Sequence, residues 1–287
     1  MKIILSRKGF DSGAGSIASP ILDGSPVSLP IHDDRTKITY DDLHWSRSSS
    51  LGKVVEDLTV KRKEPTKRSD TVHLDPDLRR STLPRASGWR PLYGPHPRSH
   101  AHMMKQGVEE GDLVLFFGWF RKVELDADTG IYRFGGEDLH VLFGWLQIDK
   151  IVPAGIQNRK NVPKWAWYHP HFQDDWENNY VYTSAKQLSL PGLRRKLPGG
   201  GTFDKYCDDL RLTAPGCSRS IWQLPRAIFP KRGQQLLSFH SNPKLWKSTG
   251  THTRLQTQKT HWQDAVLHAD ECPEAIAWAR GLITRNG

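Results

Sequence analysis

Apolar positions are densest in the middle of the chain. Residues 113–120 read Leu-Val-Leu-Phe-Phe-Gly-Trp-Phe, a short run rich in the aromatic and branched side chains that favour strands. Gly111 and Asp112 open it, and residues 126–130 supply turn chemistry before a return strand at 131–134, which predicts a hairpin. A second strong strand is expected over 139–148, and shorter ones over 180–183, 210–213 and 236–240. The N-terminal Ile3, Ile4 and Leu5 read as a first buried strand that runs into the glycine-rich turn Gly13-Ala14-Gly15. Near the other end, Asp270 can cap a helix, Pro273 suits its first turn, and Ile276, Ala279, Leu282 and Ile283 share a face. Residues 46–70 are polar and Lys/Ser-rich and read as an exposed insertion with a helical turn or two at 51–58; residues 84–102 read as a Pro/Gly/His-rich loop. Strands outnumber helices and no βαβ alternation appears. The expected fold is α+β, one β-rich domain over 1–287 with a mostly antiparallel central sheet and a C-terminal helix.

Composition adds little to the fold but bears on partners. With 37% apolar residues and eleven Trp there is ample material for a core. No apolar run approaches the roughly 18–20 residues of a membrane span. The start Met-Lys-Ile-Ile-Leu-Ser-Arg-Lys is too short in apolar residues for a signal peptide, so a cytoplasmic protein with no membrane partner and with Cys207, Cys217 and Cys272 reduced is expected. Net charge is +10, unevenly spread: residues 186–254 hold 13 Lys and Arg against 3 acids. That segment also carries Phe203, Trp222, Phe229, Phe239 and Trp246, a composition that fits phosphate attraction combined with base stacking. The same pattern also fits a passive basic surface over aromatics buried in the core.

Familiar nucleotide motifs fail on inspection. Gly13-x-Gly15-x-x-Ala18 mimics a dinucleotide fingerprint, but Pro20, Gly24, Pro26 and Pro30 forbid the helix whose N-terminus would hold the pyrophosphate. No Gly-Lys-Ser/Thr closes the run, so it is not a P-loop. What remains is a strand ending in a turn that displays Arg7, Lys8, Asp11 and Ser12, where backbone amides and two cations can cradle a phosphate. His73, Asp75 and Asp77 alternate, and an extended backbone before Pro76 would point them to one side. His100-x-His102 and His169-Pro170-His171 repeat the spacing. Such sets can chelate a metal, pair as acid and base, or serve structural hydrogen bonding. Phe117-Gly118-Trp119 and Phe143-Gly144-Trp145 suggest neighbouring strands with close approaches at the glycines, where Trp145 either stacks a base or packs in the core.

These segments together resemble the nucleotide-modification-associated domain family, third type. The carrying stretches are IILSRKGFDS at 3–12, HLDPDL at 73–78, GDLVLFFGWF at 111–120, HVLFGWLQ at 140–147, YHPHF at 168–172, LRLTAPG at 210–216 and RSIWQLP at 219–225. The resemblance implies an association with phage and bacterial systems that modify bases in DNA, and it raises the expectation of a nucleotide or nucleic-acid partner without choosing a reaction or a cofactor. Two readings follow. In one, the chain is an enzyme acting on a nucleotide or base: Asp11, Asp75, His169 and His171 do the chemistry, while Arg7, Lys8, Ser12 and Arg219 hold phosphate and Trp145 stacks the base. In the other it is a PUA-like reader of modified bases, in which the same residues shape a pocket and nothing turns over.

Overall fold

The computed structural model describes residues 1–46, 49–231, 234–257 and 264–287. In chain order the strands are β1 (Ile3–Arg7), β2 (Ser19–Leu22), β3 (Ser25–Pro26), β4 (Ile31–His32), β5 (Val72–His73), β6 (Leu92–Tyr93), β7 (Leu113–Leu125) and β8 (Tyr132–Pro153). They continue with β9 (Tyr180–Ser184), β10 (Gly200–Thr202), β11 (Ile221–Pro225), β12 (Trp246–Ser248), β13 (His252–Gln256) and β14 (Asp264–Leu267). Among the described residues the α-helices are α1 (Leu51–Thr59), α2 (Pro97–Lys105) and α3 (Pro273–Asn286), joined by several short 3-10 turns.

The main sheet runs β14-β1-β7-β8-β9-β6, with β2 attached at β7, β3 at β2 and β10 at β8. Most pairings are antiparallel, but β1 and β2 both lie parallel to β7, so the sheet is mixed. β1 is central and covered on both faces, which is why Ile3, Ile4 and Leu5 form a continuous buried run instead of alternating. The hairpin at its heart is longer than the sequence pattern suggests. The segments 131–134 and 139–148 are one strand, β8, and breaks in register at Phe116/Phe117 and Phe120/Lys122 absorb the mismatch with β7. The turn forms as expected: the Asp126 carboxylate accepts the N–H groups of Asp128 and Thr129, and Gly130 takes a φ of 64°.

The paired Gly-Trp motifs sit on these neighbouring strands, with Leu115 opposite Trp145 and Gly118 opposite Val141. Each glycine admits a backbone. A Cβ on Gly144 would stand 2.7 Å from the Gly201 carbonyl of β10, and one on Gly118 2.7 Å from the Lys8 carbonyl. Gly118 therefore lets the end of β1 press onto β7.

Elsewhere the pattern misled in identifiable ways. Residues 210–213 and 236–240 contribute isolated bridges rather than strands. β11, β13 and β12 form a separate small sheet from short segments whose polar alternation was too weak to stand out. Pro97 begins α2 inside the stretch expected to be loop, with the His96 ring accepting the Arg98 N–H as a cap. Within 46–70, Leu51, Val54 and Val55 of α1 are buried in a second core cluster with Phe10, Tyr40 and Val72, and the stretch from Val60 to Ser69 is mostly exposed. The C-terminal helix is present with Pro273 in its first position; Cys272 rather than Asp270 stands at the N-cap, without a side-chain capping bond, and the helix buries Ala275, Ala279, Leu282 and Ile283. Among the described residues no helix is long and apolar enough to cross a membrane.

Candidate active site

β1 delivers Arg7 and Lys8 to one end of the main sheet. The Lys8 N–H donates to the Phe117 carbonyl at 2.8 Å, and with Gly118 beside it this clamps the backbone before the side chain leaves. The ammonium then lies 3.0 Å from Asp75 Oδ2, 3.4 Å from the Gly94 carbonyl and 4.6 Å from the centre of the Tyr93 ring. Asp75 follows β5, and its other oxygen accepts the Gly94 N–H at 2.6 Å. Burial alone would raise the Asp75 pKa. The positive charge of Lys8, with His169 and His171 nearby, outweighs it and holds the carboxyl well below the usual carboxylate range.

Three imidazoles surround this carboxylate. His169 Nε2 is 3.4 Å from Asp75 Oδ1, outside hydrogen-bond geometry, and this fully buried ring has no hydrogen-bond partner among the described residues. His171 is buried too, and its Nδ1 lies 2.6 Å from Asn179 Oδ1 while the Asn179 amide donates back to the His171 carbonyl. Burial pushes the His171 pKa down to about 3 despite the attraction of Asp75, so the ring is neutral. His73 Nδ1 lies 2.7 Å from Asp33 Oδ2, and Arg35 grips both oxygens of that same Asp33. Gly94 is the hub. Its N–H and carbonyl hold Asp75 and Lys8, and a Cβ there would fall 2.4 Å from the His171 ring.

A cavity of about 190 Å³ opens above these groups, lined by Lys8, Asp75, His73, His171, Arg35 and Trp176 among others. It adjoins a larger one of about 410 Å³, with Arg7, Asp11, Ala14 and His96 in the shared wall. Arg98, His102, Phe239 and Asp264 line the far side. Phe239 is one of few non-glycine residues with positive φ, at 66°, and its ring stacks on His102 at 4.1 Å while 38% of it stays exposed. Asp264 is buried; one oxygen accepts the Tyr93 hydroxyl at 2.6 Å, and the other has no hydrogen-bond partner among the described residues.

The structure brings Lys8, Asp75, His169 and His171 together, with Arg7 and Asp11 on the adjoining wall. Asp11 chiefly builds its own turn: Oδ1 accepts the N–H groups of Gly13 and Ala14, and Oδ2 lies 3.5 Å from Arg7 Nε. Ser12 accepts from Arg219 on the exposed flank, where the Arg219 guanidinium stacks 3.9 Å over Trp119. Asp77 does not share a side with His73 and Asp75. It turns inward to a bidentate pair with Arg85 at 2.6 and 2.8 Å. Trp145 lies outside both cavities, buried against Phe203 with its indole N–H on the Pro198 carbonyl. Of the aromatics in the basic stretch, Phe203, Trp222 and Trp246 are buried and Phe229 and Phe239 are exposed. Sequence reasoning passed over Gly94, Arg98 and Asp264, and singled out Phe239 only as one of five aromatics in the basic stretch. The Pro97 helix start was the one local signal that could have flagged Arg98.

No curated protein and no solved structure matches the chain. Residues 2–268, however, match the family described as nucleotide modification associated domain 3, and on that span the chain belongs to this family.

Proposed function

We propose that the chain is an enzyme that acts on a nucleotide or a nucleic-acid base, with Asp75 at the chemical centre of its cleft. The observation that carries this reading is the convergence of Lys8, Asp75 and His171 from three distant segments onto the floor of a cavity, with His169 fully buried beside Asp75. A buried carboxylate held by an ammonium and a backbone N–H, with imidazoles alongside, is preorganised for proton transfer or ligation. The larger cavity has a volume in the range that takes a nucleotide. In it the exposed face of Phe239 offers a stacking platform, Asp264 an acceptor for a base N–H, and Arg98 and Arg7 charge for phosphate. A base within a duplex would have to be extruded to reach it.

The test incubates purified protein with nucleoside mono- and triphosphates and with single- and double-stranded DNA, and reads nucleoside composition by mass spectrometry. The expected result is a new product with the wild-type chain, reduced at least about 100-fold by Asp75→Asn. Phe239→Ala should raise KM more than it lowers kcat. Binding to any of these pools without turnover by the wild type would instead identify a reader of the PUA-like kind and overturn the enzyme reading.

A further inference from the structure

We propose that His73, Asp75 and His171 form a mononuclear site for a divalent transition-metal ion on the floor of the cleft. The three side chains each offer a ligand atom, and these atoms lie within 4.8 Å of one another. Two ligands on a single ion at about 2.1 Å stand roughly 3–4 Å apart, so small side-chain rotations suffice to close the set.

The surroundings match what metal-bound histidines need. His73 Nδ1 faces a carboxylate oxygen, which can only accept, so in the neutral ring this nitrogen carries the proton and Nε2 keeps its lone pair. His171 Nδ1 faces the Asn179 amide oxygen, with the same consequence. Each ring is thus turned and fixed by an oxygen behind it, the outer arrangement that orients imidazole ligands. Asp33 is itself held by Arg35, so the support for His73 extends a further layer. Trp176 closes the side, stacked on His73 and edge-on to His171, and the missing Cβ at Gly94 makes the room the His171 ring occupies.

Two imidazoles and one carboxylate suit zinc, iron, cobalt, nickel or manganese better than magnesium or calcium. Three protein ligands leave positions open towards the cavity, as in catalytic rather than structural sites. Lys8 competes with such an ion, because its ammonium holds Asp75 Oδ2 at 3.0 Å. An ion bound through Oδ2 displaces that contact, and one bound through Oδ1 still meets the repulsion of the ammonium. Removing the Lys8 charge should therefore tighten metal binding, whereas a plain ionic knot would only be broken by it.

The experiment needs no substrate, so its outcome is independent of the nucleotide reading. Full-length protein is stripped with chelator and titrated with Zn(II) and Co(II), with stoichiometry read by mass spectrometry and Co(II) ligation by visible absorption. The expected result is about one tightly held ion per chain. His73→Gln and His171→Ala should each abolish it, Asp33→Asn should weaken it about 10–100-fold, and Lys8→Met should bind at least as tightly as wild type. If His171→Ala fails to fold, His73→Gln decides, because His73 lies at the edge of the cavity rather than in the core. No ion bound at micromolar free metal, or an ion retained undiminished by His73→Gln, would overturn the proposal.

Discussion

Gly94→Ala is a small change with a large expected consequence. Gly94 is buried, and an added Cβ would fall 2.4 Å from Cδ2 and Nε2 of His171. Ordinary contacts of a Cβ begin near 3.4 Å, so something must move by about 1 Å. The His171 ring cannot simply swing away, since it is buried and tied through Nδ1 to Asn179. The alternative, a shift of the Gly94 backbone, would loosen the N–H that holds Asp75 and the carbonyl beside Lys8. Overpacking of this kind costs about 1–3 kcal/mol. At roughly 2–4 °C per kcal/mol for a chain of this size, the melting point should fall by about 2–12 °C. Turnover and metal affinity should fall further than the melting point alone explains, because the perturbed atoms are those of the site. Calorimetric melting paired with ring-nitrogen NMR of His171 reads both effects. Gly135→Ala is the control, since its new Cβ would meet nothing closer than 4.0 Å. A Gly94→Ala protein that melts within a degree of wild type with unchanged His171 signals would refute the reasoning.

Other consequences follow from the same structure. Burial pushes the His140 pKa from 6.5 down to about 3, with Arg219 and Arg7 adding to it, and its Nδ1 accepts the Trp222 indole N–H at 2.9 Å. A histidine lowered in the folded state contributes its stability above the unfolded pKa and loses it as pH falls from 6.5 towards 3, at about 1.4 kcal/mol per unit. Urea midpoints at pH 7 and pH 5 should therefore converge in His140→Gln relative to wild type, and an unchanged difference would contradict this. Trypsin should cut first at the exposed Lys61 and Lys63 and spare α1, whereas early cleavage after Lys53 would show that α1 is not packed. Trp145→Phe should lower the melting point and leave nucleotide affinity unchanged, while Phe239→Ala should do the reverse. Replacing the exposed Arg194, Arg195 and Lys196 by Ala should flatten the salt dependence of any DNA binding.

Legibility in the sequence followed the range of the interaction. The hairpin of β7 and β8 and the C-terminal helix were readable because apolar periodicity, turn residues and Pro273 are local signals. Lys8 stood out because its strand ends in a glycine-rich turn, and Asp75, His169 and His171 because Pro76 or Pro170 restrains the backbone beside them. Gly94 and Asp264 act only through partners far along the chain, so nothing in their own neighbourhoods marked them. Trp145 shows the converse. Its adjacent Gly144 did signal a close approach, but the approaching group is the backbone of β10, which no local pattern could distinguish from a ligand.

On the function proposed above, a nucleotide binds in this cleft and reacts at Asp75. Isothermal titration of Asp75→Asn with nucleoside monophosphates, alongside turnover of wild type, tests it most directly. The variant should still bind, with affinity lost on adding Phe239→Ala or Arg98→Ala, while its turnover is gone. Nucleotide affinity unaffected by either added substitution, or turnover surviving in Asp75→Asn, would contradict it.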